Sequence, residues 1–191
     1  MKKEVLIFIS NGYADWEAGY LSAELNKPES EYKVKTVSLN SDNVQSMGGF
    51  TVIPDYTIDS LPAQFEMLIL IGGTGWKDNS AITPVIESCI QNRTPIAAIC
   101  DASTFLAEHG YLDEIPHTGN SLDYLKEFAP NYKGHANFLE KQTVSSDDII
   151  TANGTAALEF TREVLKKLKV IPVEQIDGWY TFFKNGFYQE E

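Results

Sequence analysis

Cys100 has the neighbours that a reactive thiol needs. It closes the apolar run Pro95-Ile96-Ala97-Ala98-Ile99 and is followed by Asp101-Ala102-Ser103. A nucleophile elbow is a tight strand-to-helix turn, and it demands small residues two before and two after the nucleophile. Ala98 and Ala102 stand at those positions, where glycine is commoner. Such a turn sets the sulfur at a helix N-terminus, whose dipole and free N–H groups favour thiolate and lower the thiol pKa. The local sequence leaves a plainer reading open, an inert cysteine in a core strand. The other cysteine, Cys89, shares one helical face with Ile82, Val85, Ile86 and Ile90 and reads as a core residue. There is no Cys-x-x-Cys pair, so thioredoxin-type exchange is not indicated.

Two further segments carry groups that suit such a thiol. Gly72-Gly73-Thr74-Gly75 follows a buried strand. It lacks the full pattern of a dinucleotide loop and the Lys-Ser/Thr of a P-loop. A glycine there can instead turn a backbone N–H toward the nucleophile, forming an oxyanion hole with the N–H of Asp101. The alternative is an ordinary turn. Glu17 lies in the first turn of a helix beside an apolar stripe, where a carboxylate can face the sulfur as acid, base or hydrogen-bond partner. Its alternative role is a helix-start acid that complements the dipole.

The elements that must hold these residues alternate. Residues 5–10, 66–71 and 95–100 are continuous apolar runs, as strands buried on both faces read. Residues 33–39 alternate as a further strand, and 44–53, with Met47-Gly48-Gly49-Phe50 in the middle, read as a hairpin. Helices are expected at about 15–25, 83–91, 102–109 with Gly110 as C-cap, 121–128 and 154–168, and a last one opens at Pro172. Short strands are expected within 134–150. Strands alternating with helices imply a parallel sheet with crossovers, hence a flavodoxin-like, doubly wound, three-layer α/β/α sandwich. No repeat or linker divides residues 1–191, which read as a single domain. Ligands in such folds bind beyond the carboxyl ends of the strands, where Asn11–Glu17, Gly72–Trp76 and Cys100-Asp101 converge.

Bulk properties narrow the partners. The formal net charge of -12 repels phosphate backbones and supplies no polybasic patch, so neither nucleic acid nor a membrane surface is expected. The opening run Met1-Lys2-Lys3-Glu4-Val5 is short and interrupted by Glu4, so it reads as a core strand rather than a leader. With 2 cysteines, a disulfide framework is not expected, and the cytoplasm is the expected compartment. The 3 histidines show no ligand spacing, so no metal is expected, nor any cofactor.

Together these residues resemble the ThiJ/PfpI family, within the class I glutamine amidotransferase-like superfamily. The likeness covers nearly the whole chain. It rests on the first-strand run with Glu17, Leu70-Ile71-Gly72-Gly73, Ala97-Ala98-Ile99-Cys100, Phe105-Leu106-Ala107-Glu108-His109-Gly110-Tyr111-Leu112 and Ile150-Thr151-Ala152-Asn153-Gly154. It implies that Cys100 is the reactive residue, that Glu17 contacts it, and that the glycine turn supplies oxyanion N–H groups. His117, in Ile115-Pro116-His117-Thr118-Gly119-Asn120, is the nearest match to the family's histidine and a candidate base. One departure stands out. The family's peptidase-like members place a histidine directly after the cysteine, and this chain has Asp101. A carboxylate there opposes thiolate formation unless a cation or a proton compensates, so a protease of that type is not expected. No late His-x-Glu pair completes an amidotransferase triad either.

Three readings follow. The first is a cysteine-dependent hydrolase or lyase acting on a small amide or carbonyl compound. The second is a redox-responsive stress protein with an oxidisable Cys100, and the third is a non-catalytic scaffold that keeps the elbow. The C-terminal segment, about 172–191, carries Trp179, Tyr180, Phe182, Phe183, Phe187 and Tyr188. Such aromatic area packs back on the domain or meets a second copy, and the resemblance makes a homodimer credible.

Overall fold

The computed structural model describes residues 2–186. Strands β1 (Lys3–Phe8) and β2 (Tyr32–Ser38) are followed by a small hairpin, β3 (Val44–Gln45) and β4 (Thr51–Val52). Then come β5 (Tyr56–Thr57), β6 (Met67–Leu70), β7 (Ile96–Ile99), β8 (Thr143–Ser146) and β9 (Ile149–Ala152). Seven of these form one sheet in the order β5-β2-β1-β6-β7-β9-β8. Every neighbouring pair is parallel except β8 and β9. The helices are α1 (Asp15–Leu25), α2 (Thr83–Gln91), α3 (Asp101–Glu108), α4 (Leu122–Phe128), α5 (Ala157–Leu168) and α6 (Val173–Asn185).

The two-residue period of the strands sorts their side chains into two cores. Val5, Ile7, Ile69, Ala97 and Ile99 pack with Leu21 and Leu25 of α1, Phe160 and Val164 of α5 and Ile176 of α6. Leu6, Phe8, Leu68, Leu70, Ile96 and Ala98 pack on the other side with Ile86 and Cys89 of α2, Phe105 and Leu106 of α3 and Leu125 of α4. The central strands are apolar throughout because both faces are covered. The expected doubly wound sandwich is the fold observed, and Cys89 lies in the second core as expected.

Boundaries differ where side chains cap the chain. The fifth helix begins at Ala157 rather than 154, because Asn153 Oδ1 accepts from the Thr155 N–H and closes a turn before it. The two-residue β5 is too short for any periodicity to announce. The sheet reverses its direction of growth at β1, which lies between β2 and β6. In open α/β sheets that switch point leaves a crevice at the carboxyl ends, and Cys100, Glu17 and the glycine turn meet beside it.

Candidate active site

Cys100 sits at φ 59°, ψ -128°, a conformation that a residue with a side chain rarely adopts. Strained backbone of this kind costs on the order of 1–3 kcal/mol and persists where the surroundings enforce it. They do so here. Ala98 and Ala102 are fully buried on either side. The Cys100 N–H donates to Ala152 O at 2.9 Å, and the Ser103 N–H donates to Cys100 O at 3.0 Å. Two glycines press on the cysteine: a Cβ at Gly72 would lie 2.5 Å from Cys100 Cβ, and one at Gly154 would lie 2.9 Å from the sulfur. The elbow expected from Ala98 and Ala102 is thus formed.

Glu17 is brought there by α1. It shares the buried face of that helix with Leu21 and Leu25, four and eight residues on. The helix start is tied to the glycine turn, because the Ala14 N–H donates to Gly72 O at 3.0 Å. Glu17 is 0 % exposed. Its Oε2 accepts from the Gly72 N–H at 2.7 Å, while Oε1 is buried without a hydrogen-bond partner. Burial pushes the carboxyl pKa up to about 7, against the pull of the Gly72 N–H and of the Cys100 thiol. A buried carboxylate oxygen lacking a donor carries a desolvation penalty that a proton removes. Protonated, Glu17 is neutral and can donate to the Cys100 sulfur beside it.

The expected lowering of the Cys100 pKa is not what the surroundings give. Burial first, and then the negative charge of Glu17, push the thiol up to about 12. The Asp101 charge adds to this, while the Asn120 amide and the Asp101 N–H oppose it. The dipole of an eight-residue helix is outweighed by burial and by two nearby carboxylates. Of the two, Glu17 can relieve the thiolate by taking a proton.

Gly73 has φ +142°, and a Cβ there would lie 2.3 Å from Gly12 O, so the position admits only glycine. Its N–H makes no hydrogen bond among the described residues. The Asp101 N–H, in the first turn of α3, acts on the sulfur.

His117 does not reach the sulfur. It is 0 % exposed, and both ring nitrogens are engaged, Nδ1 with Ile115 O at 2.7 Å and Nε2 with the Tyr132 hydroxyl at 2.5 Å. Burial lowers its pKa, and it has no free lone pair for a substrate proton. The family-based expectation is corrected accordingly: His117 anchors a loop, and a residue of that loop makes the contact. Asn120 Nδ2 lies 3.5 Å from Cys100 Sγ and 3.5 Å from Asp101 Oδ1. The Gly154 N–H donates to Asn120 Oδ1 at 3.0 Å, which fixes the amide so that its donor end faces the sulfur. The Thr118 N–H donates to Thr151 Oγ1 at 2.8 Å and holds the loop over β9.

Sequence reasoning also missed two neighbours. The Tyr124 hydroxyl donates to Asp101 Oδ1 at 2.8 Å, and the Trp16 indole N–H donates to Gly154 O at 3.1 Å. The helix at 121–128 and the run Ile150-Thr151-Ala152-Asn153-Gly154 were legible, but nothing in one dimension ties them to residue 100. His109 bonds Phe105 O within its own helix end, and His135 lies in a short turn. No cluster of metal-binding side chains occurs among the described residues. None of the described helices is long and apolar enough to cross a membrane.

A buried acid and a strained cysteine beside the Gly73 turn, at the switch point of a doubly wound sheet, define an elbow-cysteine α/β protein. The chain matches the DJ-1/PfpI family over residues 3–167, and it belongs to that family. It is 41% identical over 187 residues to a Bacillus subtilis (strain 168) protein named "Uncharacterized protease YdeA", covering 97% of this chain and 93% of the relative. It is 37% identical over 192 residues to "Uncharacterized protease YoaZ" of the same organism, covering 95% and 91%. The crystal structure of a thiJ/pfpI family protein from Bacillus anthracis superposes with a TM-score of 0.87 at 38% identity, over 96% of this chain and 91% of that one.

Proposed function

We propose that this protein is a cysteine-dependent enzyme in which Cys100 attacks a small amide or carbonyl compound. The observation that carries the reading is the buried Glu17 carboxyl beside the Cys100 thiol, with one oxygen unpartnered and its pKa pushed up to about 7. A group that titrates near the working pH both accepts and returns a proton readily.

The steps follow from the placement. The thiol proton passes to Glu17 Oε1 as the sulfur attacks the carbonyl carbon. A C–S bond forms, and the carbonyl π pair moves onto oxygen, facing the Gly73 and Asp101 N–H groups. For an amide, the pair returns, the C–N bond breaks, and Glu17 hands its proton to the leaving amine. Water then cleaves the thioester, giving the acid and restoring the thiol. For an aldehyde, Glu17 returns its proton to the new oxygen and the adduct is a hemithioacetal; in a 2-oxoaldehyde, moving the C–H proton of that carbon to the neighbouring carbonyl carbon gives a 2-hydroxy thioester, which water cleaves to the acid and the thiol.

The relatives named as proteases do not extend that activity to this chain. The Asp101 carboxylate is held by the Tyr124 hydroxyl and the Asn120 amide, and no imidazole contacts the sulfur among the described residues.

Turnover of 4-nitroacetanilide and of methylglyoxal tests the proposal. Cys100→Ser should abolish turnover, and Glu17→Gln should lower it by about 10²–10⁴-fold, the usual worth of general acid–base help. A Cys100→Ser variant as active as the parent, or a parent inert toward both compounds, overturns it.

The same donors favour one second reading. Attack of the thiolate on a peroxide gives a sulfenate and water, and a second peroxide gives a sulfinate. The Asn120 amide, the Asp101 N–H and a protonated Glu17 are the donors that a sulfinate needs. Stoichiometric gain of two oxygens on Cys100 under mild peroxide, lost in Asn120→Ala, would favour this reading.

A further inference from the structure

Trp16 is an exposed aromatic whose polar end is occupied. It stands in the first turn of α1, directly before Glu17, and is 52% exposed. Its indole N–H nevertheless reaches a residue far along the chain, donating to Gly154 O at 3.1 Å.

Gly154 is where this contact bears on the thiol. A Cβ there would lie 2.9 Å from Cys100 Sγ, 3.2 Å from Cys100 Cβ and 3.5 Å from Asn120 Oδ1, so the place of the sulfur requires a glycine. Glycine also has the freest backbone of any residue. The least restrained residue of the site therefore lies against its reacting atom. The neighbouring turn does not hold it. Asn153 Oδ1 accepts from the Thr155 N–H at 3.0 Å, and Asn153 O accepts from the Ala156 N–H at 3.0 Å. Both bonds span Gly154 without using its N–H or its carbonyl. Those two groups are held by side chains instead, the N–H by Asn120 Oδ1 at 3.0 Å and the carbonyl by Trp16. No backbone N–H donates to Gly154 O among the described residues, so the indole is what fixes that carbonyl.

We propose that Trp16 is a positioning residue for the reacting thiol: by holding the Gly154 carbonyl, its indole N–H keeps the Asn120 amide aimed at Cys100 Sγ, 3.5 Å away. Helix α1 then serves the sulfur twice, through Glu17 beside it and through Trp16 by way of Gly154 and Asn120. Without the indole, the peptide after Gly154 turns about a residue that has no Cβ to restrain it. The Asn120 amide loses its fixed acceptor contact, and a thiolate at Cys100 loses a steady donor. The inference deepens the reading of Cys100 as the attacking group and rests on it.

Alkylation of Cys100 by iodoacetamide at pH 8, followed by mass spectrometry of the whole chain, tests the proposal. Trp16→Phe keeps an aromatic ring on the exposed face of α1 and removes the N–H. It should slow alkylation about two- to tenfold, the net worth of one hydrogen bond. In an Asn120→Ala background the same change should alter the rate by less than about twofold, because the two residues act in series. A packing role alone gives the opposite sign, since a loosened turn uncovers the sulfur. An effect passed through the neighbouring Glu17 would persist at full size without Asn120. Should Trp16→Phe fail to fold, Trp16→Leu, which also removes the donor, should act alike.

Exchange of the Gly154 amide proton, read by NMR, reports the turn without any thiol chemistry. It should quicken about two- to tenfold in Trp16→Phe. Alkylation at the parental rate or faster, unchanged exchange, or an undiminished effect in the Asn120→Ala background overturns the proposal. Quickened exchange in a protein whose Cys100 resists alkylation even in the parent would uphold the positioning of Asn120 and overturn the nucleophile reading instead.

Discussion

Glu17→Gln should make the protein more stable, and the gain should depend on pH. The carboxyl group has an ordinary pKa of 4.5 and a folded-state value of about 7, set mainly by burial. A raised value means that the folded chain holds the proton more tightly than the unfolded one. Below pH 4.5 both states are protonated, and the group adds no pH-dependent term. Between pH 4.5 and 7 the unfolded state releases its proton while the folded state keeps it, so stability falls as pH rises. Above pH 7 the loss is complete.

The shift is about 2.5 units, and at 1.36 kcal/mol per unit it costs about 3 kcal/mol. Glutamine is nearly isosteric, keeps an oxygen for the Gly72 N–H, and offers an N–H where Oε1 now lacks a partner. The variant should therefore match the parent near pH 4 and exceed it by about 3 kcal/mol near pH 8. With a urea slope near the top of the usual range, about 3 kcal/mol per M, the midpoint moves by about 1 M. Urea unfolding of both proteins at half-unit steps isolates this group, because every other titration is shared. A difference that stays flat with pH, or a variant less stable at pH 8, would refute a protonated, buried Glu17.

Four further outcomes are expected. Limited alkylation at pH 8 should label Cys100 well before Cys89, because burial pushes both thiols up to about 12 but Cys100 is half-buried whereas Cys89 is 2 % exposed; preferential labelling of Cys89 would remove Cys100 from the centre. Asn120→Ala deletes the side-chain donor that lowers the Cys100 pKa, so thiolate absorbance near 240 nm should rise at higher pH than in the parent; an unchanged titration would show the amide to be a bystander. His117→Gln should cost about 1–3 kcal/mol through two lost buried hydrogen bonds. It should leave Cys100 alkylation within about twofold, and a much larger rate loss would restore His117 as a base. Truncation after Pro172 removes Ile176 and Trp179 from the first core and should destabilise or unfold the chain; an equally stable truncation that sediments as a monomer where the intact chain sediments as a dimer would make the segment an interface, and a folded monomer in both cases would refute a dimer through it.

The last of these concerns a feature that the sequence left open. Trp179 packs partly on the core and, with Phe183, against Tyr20 of α1, while Tyr180 bonds Glu159 at 2.8 Å. These aromatics pack back, whereas Phe182 is 52% exposed. Phe187 and Tyr188 lie outside the described residues. The alternation of apolar runs foretold the sheet and its layers, because burial on both faces writes itself into every residue of a strand.

Cys100, Glu17 and Gly73 were legible for a related reason: each is an oddity in its local pattern. A cysteine ends an alanine-rich strand, an acid sits on an apolar helical face, and a glycine follows a buried run. Asn120 is no oddity, since Thr118-Gly119-Asn120 reads as any polar loop. What gives it a function is a chain of contacts with no sequence signature, Thr118 to Thr151, Gly154 to Asn120, and Asn120 to the sulfur. The same loop carries His117, which motif matching favoured. The imidazole's engagement by Ile115 O and Tyr132 explains why a histidine near the right position in sequence makes no contact with the sulfur.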